Sequence, residues 1–129
     1  MATTKGSGPK PAFSAGIPTI DVGCSFTPPT TTAGPLTGSG YFYGCSGSIL
    51  TANKYEIYPQ DQFSGGPSGS LLWYDVRVMH SGSAVGYTPL VTAATPTKLA
   101  FQVESSGSLA ATQPNKIAVL MKFVRPGAL

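Results

Sequence analysis

Asp75, His80 and Ser81 are the residues of this chain that come closest to an acid, a base and a nucleophile within one short stretch. A triad needs the base held by the acid and within reach of the nucleophile. Asp75 stands five residues before His80 in the run Ser70 to His80, which alternates in character, so the two side chains leave opposite faces of one strand. His80, the single histidine, therefore reads as a structural or exposed residue. Paired carboxylates would have to come from Asp21, Glu56, Asp61, Asp75 and Glu104, and none of these stands in a glycosidase-like motif. Gly44-Cys-Ser-Gly-Ser48 and Gly66-Pro-Ser-Gly-Ser70 each miss G-x-S-x-G by one position and lead into no helical pattern, so both read as turns. There is no phosphate-loop or dinucleotide fingerprint, and one histidine, two distant cysteines and scattered acids lack metal-ligand spacing. No catalytic residue, metal ligand or cofactor is assigned, and an enzyme is the least favoured class.

The remaining chemistry is that of recognition. Trp73, Asp75 and Arg77 share one strand face, the residue mix of an interface hot spot. The alternative is an ordinary solvated face with one tryptophan. Six tyrosines, at 41, 43, 55, 58, 74 and 87, offer rings for stacking on sugars or bases, with Gln60, Asp61 and Gln62 as polar neighbours. Tyr41, Tyr43, Tyr55 and Tyr58 are expected to cluster on adjacent strands. Capping a β-core with a polar tip is the commoner use of such residues.

The elements that must position these groups are strands. Ser70 to His80 carries Leu72, Tyr74, Val76 and Val78 on one face and Trp73, Asp75, Arg77 and Met79 on the other; it reads as the central strand. Tyr41–Tyr43 opens a first strand that ends in Gly44-Cys-Ser-Gly47 and is resumed by Ile49 and Leu50, Asn53 turns the chain, and Lys54–Tyr58 follows. The run Phe63 to Gly69 makes a loop of the size that often carries function. Val85–Val91 reads as an irregular edge strand broken by Gly86 and Pro89. Lys98–Glu104 turns Leu99, Phe101 and Val103 inward. Lys116–Val124 turns Ile117, Val119, Met121 and Phe123 one way and Leu120 and Val124 the other, so burial on both sides is expected, by a second sheet or a neighbouring subunit. The fold class is all-β: a small antiparallel β-sandwich or barrel, jelly-roll-like, with a long extended N-terminal arm.

The arm is read over residues 1–38 and the body over 39–129. Prolines at 9, 11, 18, 28, 29 and 35 disfavour helix and sheet interior, leaving extended backbone. Phe13, Ile17, Ile20, Val22 and Phe26 are the spaced apolar anchors with which the arm would bind a partner. With 16 Gly, 12 Pro and 10% charged residues, the surface is poor in charge, as though covered by something else. The net charge of +3 is dispersed, which argues against nucleic acid. The opening residues lack the apolar core of a secretory signal, and no stretch is long and apolar enough to span a membrane. Synthesis in a cytoplasm is the default, with Cys24 and Cys45 as small buried thiols; a bridge between them is the less favoured alternative.

In its layout, the chain resembles the small decoration, or cement, proteins of tailed-phage heads. The resemblance rests on the Thr/Gly/Pro-rich arm from Met1 to Gly38, the β-body from Tyr41 to Val124 and the short tail Pro126-Gly-Ala-Leu129. It implies a virion protein on the capsid surface, a homotrimer whose arm reaches along the major capsid protein and whose body ties capsomers together. Subunit contact would fall to Trp73, Asp75, Arg77, Leu120 and Val124. Two other classes stay open: a self-assembling viral coat protein, and a carbohydrate- or receptor-binding module of a fibre using the tyrosines and the Phe63–Gly69 loop.

Overall fold

The computed structural model describes residues 17–30, 33–36, 38–80 and 86–127. In chain order the elements are β1 (Thr19–Phe26), β2 (Gly34–Pro35), β3 (Gly40–Tyr43), β4 (Cys45–Thr51), β5 (Lys54–Pro59) and a single helical turn, α1 (Asp61–Ser64). A 3-10 turn (Gly66–Ser68) leads to β6 (Leu71–Met79), β7 (Tyr87–Thr95), β8 (Lys98–Ser105), β9 (Ser108–Leu109) and β10 (Lys116–Val124). They form two antiparallel sheets. One is four-stranded, ordered β3-β1-β10-β6; the other runs β2-β4-β5-β8-β7, with β9 paired to β8 beside β5. Neither sheet closes on itself, so the all-β expectation holds as an open sandwich rather than a barrel.

Period-two alternation builds the core from both sheets. Val22 and Phe26 of β1 and Ile117, Val119, Met121 and Phe123 of β10 face Ile49, Tyr55, Ile57, Leu99, Phe101 and Val103 of the other sheet. The Phe26 and Tyr55 rings, 5.5 Å apart, bridge the two layers, and Tyr55 continues to Phe101 at 5.3 Å. Each such ring removes enough apolar surface from water to contribute about 2–3 kcal/mol.

Three expectations are corrected. First, the arm does not extend to residue 38. Thr19–Phe26 is an interior strand, paired with β10 on one side and β3 on the other, and Leu36 is fully buried. Prolines 18, 28 and 29 flank this stretch without entering it, and Ile20, Val22, Cys24 and Phe26 alternate cleanly within it. Val22 and Phe26, each 1% exposed, are core residues of this chain and cannot also anchor a partner. Ile20 packs against the same core, and Ile17 is half-buried. The segment that follows is tied down too, by Gln113 Nε2 donating to Pro29 O at 2.7 Å and Leu36 N donating to Gly47 O at 2.8 Å. Phe13 lies outside the described residues.

Second, β6 is an edge strand rather than the central one, because among the described residues only β10 pairs with it. Its two faces are as read except at its start. A bulge between the Trp73↔Lys122 and Leu71↔Phe123 pairs skips Leu72, and Leu71 takes the inward place. Third, Tyr41–Tyr43 does not run on into the next strand. Gly44, at φ 71°, turns the chain out of the four-stranded sheet so that β4 starts in the other one. Only glycine suits that corner: a Cβ there would approach Val22 Cγ1 at 2.8 Å and Phe63 Cδ2 at 2.9 Å.

Candidate functional site

Residues opposite one another in an antiparallel sheet share a face, so the registers fix what the outer face of the four-stranded sheet carries. Tyr41, Ser25, Ala118 and Arg77 form one row across it. The next row is Tyr43, Gly23, Leu120 and Asp75. A third is Asp21, Lys122 and Trp73, and Val124 opposite Thr19 lies beyond it. All five residues expected at a subunit contact, Trp73, Asp75, Arg77, Leu120 and Val124, thus occupy a single face. β6–β10 pairing is what unites them.

This face has relief. Gly23, Ser25 and Ala118 leave its centre low, while Tyr41 (86% exposed) and Tyr43 (76%) stand at one edge and Trp73 (38%) at the other, with Leu120 (40%) between. Four of its charges pair off, Lys122 Nζ 2.9 Å from Asp21 Oδ1 and Arg77 Nε 2.8 Å from Asp75 Oδ2, while Lys116, opposite Met79 at the end of the face, is exposed. As surface pairs these contribute under about 1 kcal/mol each, but they cancel most of the charge on a face that already displays three aromatic rings and a leucine. The expected burial of β10 on both sides is not met within the chain, since Leu120 remains exposed.

The other sheet presents a different outer surface. Lys98 Nζ lies 3.3 Å from Glu56 Oε2, the Tyr58 hydroxyl donates to Glu56 Oε1, and Gln102 Nε2 donates to Glu104 Oε2 at 2.7 Å. The Tyr58 hydrogen bond, then Lys98, holds the Glu56 carboxyl below its usual range despite some desolvation; the same bond pushes Tyr58 upward. That surface joins this polar network to exposed leucines, Leu90 opposite Gln102 and Leu109 opposite Glu104.

The tyrosines do not cluster as expected. Tyr41 and Tyr43 reach the outer face of one sheet and Tyr58 that of the other, while Tyr55 is buried, its hydroxyl pushed up to about 12 chiefly by burial and partly offset by a hydrogen bond with Gln113. Pairing of Tyr41 and Tyr43 on one side of β3 was readable from their separation by two residues; their arrival beside Leu120 was not. In the loop after β5, Gln62 Nε2 donates to Gln60 Oε1 at 3.0 Å, Phe63 packs against the core and Ser64 is fully buried. A cavity of about 300 Å³ between this loop and the C-terminal strand end carries Arg125 as its one charged lining residue.

Among the described residues no acid or nucleophile assembles around the histidine, and Ser81 lies outside them. His80 lies edge-on to Tyr87 at 4.8 Å, and Asp75 is engaged with Arg77. Among the described residues no three His, Cys, Asp or Glu side chains stand together as a metal site, and no helix is long and apolar enough to cross a membrane. Cys24 and Cys45 are free and buried, on facing sheets, and their sulfurs are hydrogen-bonded. That bond first, and burial second, push the Cys24 thiol up. No family model, no curated protein and no solved structure matches this chain.

Proposed function

We propose that this chain is a non-enzymatic structural protein of a virion, a decoration protein that seats on the outside of a phage head and reinforces contacts between capsomers. The observation that carries the reading is the asymmetry of the two outer surfaces. One carries the Lys98, Glu56 and Tyr58 network with the leucines Leu90 and Leu109 exposed and, among the described residues, no exposed aromatic pair; the other gathers Tyr41, Tyr43, Trp73 and Leu120 above a floor of Gly23, Ser25 and Ala118, with two internal ion pairs and Lys116 at its end. Aromatic residues around a small-residue floor supply large contact area at low entropic cost, the composition of protein-docking cores. The major capsid protein is the partner this reading requires. With β1 committed to the body's own core, docking falls to this face rather than to the anchors first expected between Ile20 and Phe26.

Co-sedimentation with bare, undecorated phage shells tests the proposal. The full chain is expected to pellet with shells at a fixed copy number, and the combined Tyr41→Ala, Tyr43→Ala and Leu120→Ser variant to stay in solution while folding normally. Wild-type protein left wholly in the supernatant would refute it. A second reading, a carbohydrate-binding module, draws on one observation: two neighbouring, highly exposed tyrosine rings on β3. Glycan-array binding lost with the two tyrosine substitutions would favour that reading instead.

A further inference from the structure

A sheet edge exposes a row of backbone donors and acceptors, and folded proteins blunt such edges with prolines, bulges, short strands or like charges. Among the described residues, β2 and β3 are edges of two and four residues. β7, the far edge of the larger sheet, contains Pro89 and is bulged between Val91 and Ala93. β6 differs. From Trp73 to Met79 it holds no proline or glycine and keeps an unbroken register with β10, while Trp73, Tyr74 and Met79 are between 38% and 43% exposed.

We infer that β6 is a self-pairing edge, which joins two copies of this chain about a twofold axis at Val76 and makes one continuous eight-stranded sheet from two four-stranded ones. The side-chain order of the strand carries the argument. In an antiparallel pair centred on Val76, Asp75 of one copy stands opposite Arg77 of the other, and Arg77 opposite Asp75. Val76 meets Val76, Tyr74 meets Val78 and Trp73 meets Met79. The two charges, now joined to each other at 2.8 Å with Arg77 largely exposed, would form a four-charge cluster of alternating sign. Centring the pair on Asp75 or on Arg77 places like charges directly opposite, which is destabilising. The Asp75/Arg77 pair therefore selects one register. Lysines that guard an edge repel any copy of themselves; an acid and a base two residues apart attract one.

The pair would also align the two copies' outer faces side by side, because partners whose numbers differ by an even count point to the same side of the sheet. This inference is independent of what the face docks onto. It gives a twofold assembly, distinct from the threefold one that the resemblance to decoration proteins implies.

Sedimentation equilibrium of the full chain tests it. A species of about twice 13.2 kDa is expected, with Asp75→Arg alone and Arg77→Asp alone each weakening self-association roughly tenfold or more, and the double exchange restoring it. Far-ultraviolet circular dichroism checks that each variant is folded. A readout without substitution accompanies this: on dilution through the dissociation range, Trp73 emission in the wild-type protein should shift to the red as Met79 of the partner subunit leaves it. A monomer or a trimer at all concentrations, a dimer indifferent to charge reversal, a double exchange that fails to recover, or an unchanged emission as the mass falls would each overturn the inference.

Discussion

The side-chain amide of Asn53 donates to the carbonyl of Ala110, 57 residues further along the chain, at 2.9 Å. It donates again to Thr112 O at 2.9 Å, and its own oxygen accepts from the Tyr55 hydroxyl at 3.4 Å. Asn53 is fully buried and sits at φ 65°, the turn between β4 and β5, a conformation that asparagine tolerates better than most residues. One residue thus closes a hairpin and fastens the connection that delivers β10.

Replacing Asn53 by alanine should cost on the order of 2–3 kcal/mol, since it strands the buried Ala110 carbonyl, removes the part-buried bond to Thr112 and keeps the strained backbone angle. Urea unfolding would show the midpoint falling at nearly constant slope. Asn53→Gly, which relieves the angle but not the lost hydrogen bonds, should recover only part of the loss; full recovery would mean that the bonds contribute little.

Tyr55 predicts an alkaline limb. Its folded-state value, about 12, lies above the ordinary 10, so the folded protein holds a proton that the unfolded chain releases between those values. Stability conferred by this group is complete below pH 10 and declines as pH rises toward 12, by roughly 2 kcal/mol over that window. Tyr55→Phe, followed by unfolding midpoints from pH 8 to 12, should flatten this limb. An equally steep fall in the variant would assign it to other groups.

Glu56 predicts the opposite limb. Its folded value is lowered by the hydrogen bond from Tyr58 and then by Lys98, so its contribution is present above the ordinary carboxylate range and lost as pH falls through the lowered value. Glu56→Gln should leave stability at neutral pH reduced by less than about 1 kcal/mol and soften the acid transition. Tyr58→Phe should reproduce most of that softening, because the tyrosine hydroxyl is the first cause; no change with Tyr58→Phe would place the effect on Lys98.

How much of this was legible depends on which kind of information a residue carries. The inward faces of β8 and β10, Leu99-Phe101-Val103 and Ile117-Val119-Met121-Phe123, follow from alternation and are found as read. Alternation says nothing of lateral order, which is why β6, the most regular strand in the sequence, sits at an edge. Proline content masked β1: Ile20, Val22, Cys24 and Phe26 carry the same period-two signal, but the surrounding Pro18, Pro28 and Pro29 suggested an arm. The face uniting Trp73, Asp75, Arg77, Leu120 and Val124 was half legible, as two strand faces whose meeting depends on β6 pairing with β10. Tyr41 and Tyr43 join them only because β3 crosses to pair with β1, and no local pattern encodes that crossing.

Cys24 and Cys45 yield the last prediction. They stand on β1 and β4, one in each sheet, with Cys45 Sγ also donating to Gly23 O at 3.3 Å. The contact between the two thiols raises Cys24 and lowers Cys45, so it is the burial of both that should make the native protein react with a thiol reagent far more slowly than the urea-unfolded chain. Prolonged treatment with diamide, which takes up the two protons and two electrons released, should convert both thiols into one intramolecular disulfide through transient opening. That link would close a loop of about 20 residues and staple the sheets, raising stability by up to roughly 3 kcal/mol if the facing strands accept it without strain. Thiol titration before and after oxidation, with unfolding measured with and without reductant, decides the matter. Disulfide-linked dimers in place of the internal bridge would show that the sulfurs meet partners outside the sandwich more readily than each other.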